Sequence, residues 1–133
     1  MDGKWWSIYA SAVLAGFGGE RVSAAPVRAV NSIGAVRHYS NSGAAAISLA
    51  AARGARRIVM VGFDCQRTGG MSHWHGDHIK QLGNAGSLPK WPEQFRKLAA
   101  DIRRQGVSVI NASRQTALTC FPRMALEQAL EDS

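Results

Sequence analysis

Apolar positions along the chain change period several times, and each change marks an element. Residues 4–16 place Trp5, Trp6, Ile8, Tyr9, Val13 and Leu14 at roughly helical spacing, and Gly16, Gly18 and Gly19 follow. That predicts an amphipathic helix ended by glycines. Val27 to Val30 predicts a short strand, and Asn31-Ser32 with Gly34 a turn. From Ser42 the pattern becomes helical again: Ser42-Gly43 starts it, Ala44 to Arg53 is rich in alanine, and Gly54 stops it. So many small side chains imply close packing against a sheet.

A continuous apolar run, Arg57 to Gly62, comes next and leads into Phe63-Asp64. Such a run predicts a parallel strand covered on both faces. Cys65 to Lys90 is a 26-residue stretch with five glycines. Loops that long inside a compact domain are usually functional or disordered. Pro92 opens a helix whose apolar face is Phe95, Leu98, Ala99 and Ile102, and Gly106 ends it. Val107 to Ile110 predicts a second buried strand ending at Asn111, and a last helix covers about 124–130.

Helix, strand, loop, helix, strand, helix is the order of an α/β domain with a parallel sheet. The fold expected is a single Rossmann-like domain over 1–133, with helices flanking the sheet. Ligands in such folds bind beyond the carboxyl ends of strands. Asp64 and Asn111 both fall there, beside the long loop.

Composition supports a globular domain: 133 residues, 46% hydrophobic and 19% charged. No apolar run reaches the roughly 18 residues that span a bilayer, and the start, Met1-Asp2-Gly3-Lys4-Trp5-Trp6, is unlike a signal peptide. A cytoplasmic protein is expected, with Cys65 and Cys120 as reduced thiols outside any CxxC pair. The net charge of +7 favours an anionic partner. The basic residues are scattered, with no aromatic-interleaved stripe, so a nucleotide or phosphate-bearing ligand is expected ahead of nucleic acid.

Three groups of residues carry candidate chemistry. Asn41, Ser42 and Gly43 form a helix start whose free N–H groups can hold a phosphate. Asp64 at a strand end can take a sugar hydroxyl, a metal or a proton. His73-Trp74-His75-Gly76-Asp77-His78 gathers three imidazoles and a carboxylate. His75, Asp77 and His78 are candidate acid–base groups, while His73, His75 and His78, with Asp77 as ligand or orienter, are candidate ligands for zinc.

The last segment resembles the H-x-H-x-D-H metal motif of the metallo-β-lactamase superfamily. That superfamily places further histidines downstream, whereas the fourth histidine here, His38, lies upstream. A longer resemblance covers Asn41-Ser42-Gly43, the alanine-rich helix, Arg57 to Asp64, the His-Trp-His-Gly segment and the strand to Asn111. These residues resemble the C-terminal half of a family of uncharacterised phage and prophage proteins, similar in turn to bacterial lipooligosaccharide sialyltransferases.

The resemblance implies a nucleotide or nucleotide-sugar binding domain, a sialyltransferase-like glycosyltransferase needing no cofactor. Ser42 and Gly43 match the helix start that touches the cytidine nucleotide, and Asp64 matches the acid of a Gly-x-Asp strand end. His73 and Gly76 match a His-Tyr-x-Gly-His segment. Trp74 stands where that segment has its phosphate-binding tyrosine. Asp77 fills its fifth position, so the catalytic histidine is reached at His78 only with an insertion. The strand and Asn/Gly-rich turn with which relatives begin has no counterpart before Trp5. The sheet edge that this leaves open is one that a homodimer would cover. Two other readings remain: a metal-binding protein or hydrolase using the histidine segment, and a non-catalytic binding or assembly protein that retains the fold.

Overall fold

The computed structural model describes residues 3–24, 26–28, 30–34, 36–71, 76, 78–79, 82 and 86–131. The chain forms helix α1 (Gly3–Gly16), strands β1 (Val22–Ser23) and β2 (Asn31–Ser32), helix α2 (Ser42–Ala52) and strand β3 (Arg57–Met60). A 3-10 turn (Leu88–Lys90), helix α3 (Trp91–Arg104), strand β4 (Ser108–Asn111) and helix α4 (Leu126–Glu131) complete it. Two small parallel sheets result, β1 with β2 and β3 with β4. This is a mixed α/β architecture. No helix among the described residues is long and apolar enough to cross a membrane.

The second sheet organises the core. Arg57 to Met60 pair in parallel with Ser108 to Asn111, and α3 connects the two strands. Side chains alternate along a strand, so Ile58, Met60, Val107 and Val109 share a face. That face meets Ala44 and Ile47 of α2 and Phe95, Leu98, Ala99 and Ile102 of α3. Alanine on α2 lets helix backbone approach the layer beneath it, and Ala44 and Ala45 are buried. Arg57 points to the opposite face, where its Nη2 donates to the Ala129 carbonyl of α4 at 2.8 Å.

Several boundaries differ from those the sequence predicts. Val27, Arg28 and Val30 are not in a strand: the Val30 N–H donates back to the Val27 carbonyl at 3.2 Å. Pairing falls instead on Asn31-Ser32, which takes parallel register with Val22-Ser23. β3 stops at Met60, because the chain swings away through Val61, 58% exposed, and Gly62 at φ +75°. Nor is β3 covered on both faces. Arg57, Ile58 and Val59 are only half-buried, since the second face carries a helix of just six residues.

Part of the expected 65–90 loop is ordered into local structure. Thr68 and Met71 exchange backbone hydrogen bonds of 3.3 and 3.2 Å around Gly69-Gly70. Both glycines have positive φ, +58° and +78°, which a two-residue hairpin turn of the I′ kind requires.

Candidate functional site

The carboxyl end of β3 is held by the side chains of Ser113, Thr116 and Phe95. Phe63 donates its N–H to Ser113 Oγ at 2.8 Å and accepts from Thr116 Oγ1 at 2.7 Å through its carbonyl. Its ring meets Phe95 edge to face, with centroids 5.8 Å apart. It also fills the space above Gly43: a Cβ there would sit 2.7 Å from Phe63 Cε1. Real Cβ atoms do not come that close, so the glycine permits the ring to lie against the start of α2. Gly62 at φ +75° and Cys65 at φ +51° bracket Phe63 and Asp64 with left-handed backbone. A non-glycine residue held there costs energy that the surroundings must supply.

Asn111, fully buried at the end of β4, organises the other side. Its Oδ1 accepts from the Ser113 N–H at 3.0 Å, and its Nδ2 donates to Thr116 Oγ1 at 3.2 Å. Thr116 Oγ1 also accepts from the Leu118 N–H at 3.0 Å. Arg123 donates from Nη2 to the carbonyls of Ser113 and Arg114, each at 3.0 Å. The two strand ends are thus clamped through side chains. A buried polar group is costly unless partnered, and here Asn111 is partnered at both ends of its amide. The sequence marks its strand-end position but not its partners. Ser113 is not among the residues singled out from the sequence; the tendency of an asparagine side chain to take the backbone N–H two residues on is the signal that could have marked it.

Asp64 emerges from this clamp half-buried. Its carbonyl accepts from the Ala117 N–H at 2.8 Å, and its Oδ2 accepts from Thr68 Oγ1 at 2.8 Å. Among the described residues no other hydrogen bond to its carboxylate is formed. The helix start beside it is capped by Asn41 rather than Ser42. Asn41 Oδ1 accepts from the Ala44 N–H at 3.1 Å, and its Nδ2 donates to Gln94 Oε1 at 3.2 Å. Ser42 is exposed in the first turn. Among the described residues the amides of Ser42 and Gly43 meet no acceptor, as expected for the first turn of a helix. Asn41, Ser42 and Gly43 are therefore brought to the same edge as Phe63 and Asp64.

Cys65 and Cys120 are free thiols. Burial, with the Asp64 carboxylate and Cys120 adding to it, pushes the Cys65 thiol up to about 11. Burial also raises Cys120. Neither is an activated nucleophile at neutral pH.

Of the histidine segment, His78 is half-buried. His73, His75 and Asp77 lie outside the described residues, so the proposed acid–base and zinc arrangements do too. Among the described residues no three His, Cys, Asp or Glu side chains gather as a metal site would require.

Fold and site together define a mixed α/β arrangement in which the start of α2 meets Phe63 at the end of β3, with Asp64 the next residue along the chain. No family model, curated protein or solved structure matches the chain.

Proposed function

We propose that the chain binds a nucleotide or nucleotide-sugar at the carboxyl edge of the β3–β4 pair. In this reading β3, α3 and β4 form part of a Rossmann-like sheet. The amides of Ser42 and Gly43 receive a phosphate, which the positive end of a helix favours, while Asp64 takes a hydroxyl of the sugar. The observation that carries the proposal is the seating of Phe63 on Gly43. It joins the helix start to the strand end, so that an anion-binding element and an acceptor for hydroxyl groups serve one ligand. The net charge of +7 favours such an anion.

Transferase chemistry would add a proton-handling group, for which His78, His75 and Asp77 are the candidates. Binding is the part that Ser42, Gly43 and Asp64 support directly. Titration calorimetry with cytidine monophosphate and other nucleotides tests it. Asp64→Ala should weaken binding by about tenfold or more, since a hydrogen bond to a charged group is worth roughly 1.5–3 kcal/mol. Ser42→Ala should have a smaller effect, because it leaves the backbone amides in place. No heat with any nucleotide would end the binding claim.

A further inference from the structure

Away from that edge, the segment before α2 crosses to the far half of α3 and builds a charged cluster. Asp101, its side chain only 16% exposed, is the centre. It accepts from the Tyr39 hydroxyl, from Arg37 Nη1 at 2.8 Å and from Arg104 Nη2. The Arg37 guanidinium also stacks on the Tyr39 ring, 4.8 Å from its centroid. Tyr39 and Ser40 both adopt left-handed backbone, at φ 52° and 55°. Two consecutive non-glycine residues in that region are costly, and the conformation accompanies the reach of Tyr39 to α3.

The cluster opens on a cavity of about 600 Å³, walled also by Val36, Ser48 and Gln105. That lies within the range of small-ligand sites, roughly 300–1,000 Å³. Two guanidiniums against one carboxylate leave an excess positive charge at its mouth. One arginine in the last turn would serve the carbonyl end of α3; Arg37, brought from 64 residues away, is a second. Each guanidinium spends one terminal nitrogen on Asp101 out of five N–H donors. Among the described residues the other terminal nitrogens form no hydrogen bond.

We propose that this cavity is a second ligand site, which takes the phosphate group of a small phosphate ester between Arg37 and Arg104. A phosphate ester carries up to two negative charges and three terminal oxygens, so it can accept from the free nitrogens of both guanidiniums at once and is favoured by the excess positive charge more than a singly charged carboxylate. Asp101 and Tyr39 are positioning residues: they hold the two arginines in place without touching the ligand. The site uses none of Ser42, Gly43 or Asp64 and stands independently of the nucleotide reading.

The test is a titration of the full chain with inorganic phosphate, followed through the side-chain N–H resonances of its arginines by NMR. Acetate and chloride at matched ionic strength serve as comparison arms. Saturable shifts of the Arg37 and Arg104 signals with phosphate, weakened about tenfold by Arg37→Gln or Arg104→Gln, are the expected result. Both side chains are largely exposed, so the variants should keep the wild-type melting curve, which is recorded alongside. Non-saturating shifts equal for all three anions would overturn the proposal, as would unaltered phosphate affinity in both folded variants.

Discussion

Two helices of 14 residues, α1 and α3, use their large apolar side chains differently, and α1, which carries more of them, buries fewer. On α3 they form one stripe, and Phe95, Leu98, Ala99 and Ile102 all vanish into the core. On α1 they run around the helix. Trp6 alone is buried, while Trp5, Ile8 and Leu14 stay exposed, with Phe17 just beyond at 53%. Apolar content therefore does not decide burial; the angular placement of those residues against a sheet does. The α3 half of the molecule, with β3, β4 and α2, holds the continuous core. Within the α1 half β1 pairs with β2 over two residues, and the ion pair of Arg53 with Glu20, both of whose bonds are 2.6 Å, links that half to the end of α2. An exposed pair of that kind is screened by solvent and contributes little.

The largest contrast should appear between Phe95→Ala and Leu14→Ala in urea unfolding. The first should cost about 3–5 kcal/mol, through lost transfer energy and a cavity. The second should stay within about 0.5 kcal/mol. Equal losses would break the comparison between the helices.

Asn111→Ala sharpens it within the core half. It strands the Ser113 amide and a lone pair of Thr116 in buried surroundings. Each such group costs about 1–3 kcal/mol. A loss under 0.5 kcal/mol in the same urea experiment, about the size of a surface substitution, would show that the clamp is dispensable.

Gly43→Ala comes next, at about 1–3 kcal/mol for overpacking. The added methyl meets the Phe63 ring, so near-ultraviolet dichroism of the aromatic residues should change together with stability. A neutral substitution with unchanged dichroism would mean that the ring yields freely.

The smallest effect is a pH dependence. Burial, with the Asp101 carboxylate beside it, pushes Tyr39 up to about 12, against about 10 in an unfolded chain. A folded value above the unfolded one contributes stability that is complete below pH 10 and is lost as pH rises toward 12. At the acid end the signs reverse. The Tyr39 hydroxyl and the guanidiniums of Arg104 and Arg37 hold Asp101 below its ordinary value, so its contribution is lost as pH falls through that lowered range. Melting curves of wild type and Tyr39→Phe should therefore converge at both extremes, and parallel curves across the whole pH range would contradict the assignment.

Regular periodicity made the C-terminal half legible. The stripe from Phe95 to Ile102 and the small-residue run of α2 map onto observed helices because one face of each is answered by the sheet. Arg57 to Gly62 announced a strand but overran it by two residues, since hydropathy cannot register that the backbone turns at Gly62. Val27 to Val30 failed for the opposite reason. β-branched residues favour strands only when a partner lies alongside, and the partner of Val22-Ser23 is the polar pair Asn31-Ser32.

At the site, Asp64 and the Asn41–Gly43 helix start were legible as strand-end and cap residues. Phe63, which joins them, was not, because its neighbour Gly43 lies 20 residues back in the sequence. The Arg37–Tyr39–Asp101 cluster was hidden likewise: its hydrogen bonds span more than 60 residues, and an arginine or aspartate on a helix surface has no periodic signature.

In the proposed function the start of α2 and the end of β3 serve one ligand. Backbone amide mapping by NMR during titration with cytidine monophosphate addresses it most directly. Saturable shifts concentrated at 42–44 and 62–65, and a binding curve about tenfold or more weaker in Asp64→Ala, are expected. Shifts confined to other parts of the chain, or none at saturating nucleotide, would contradict it.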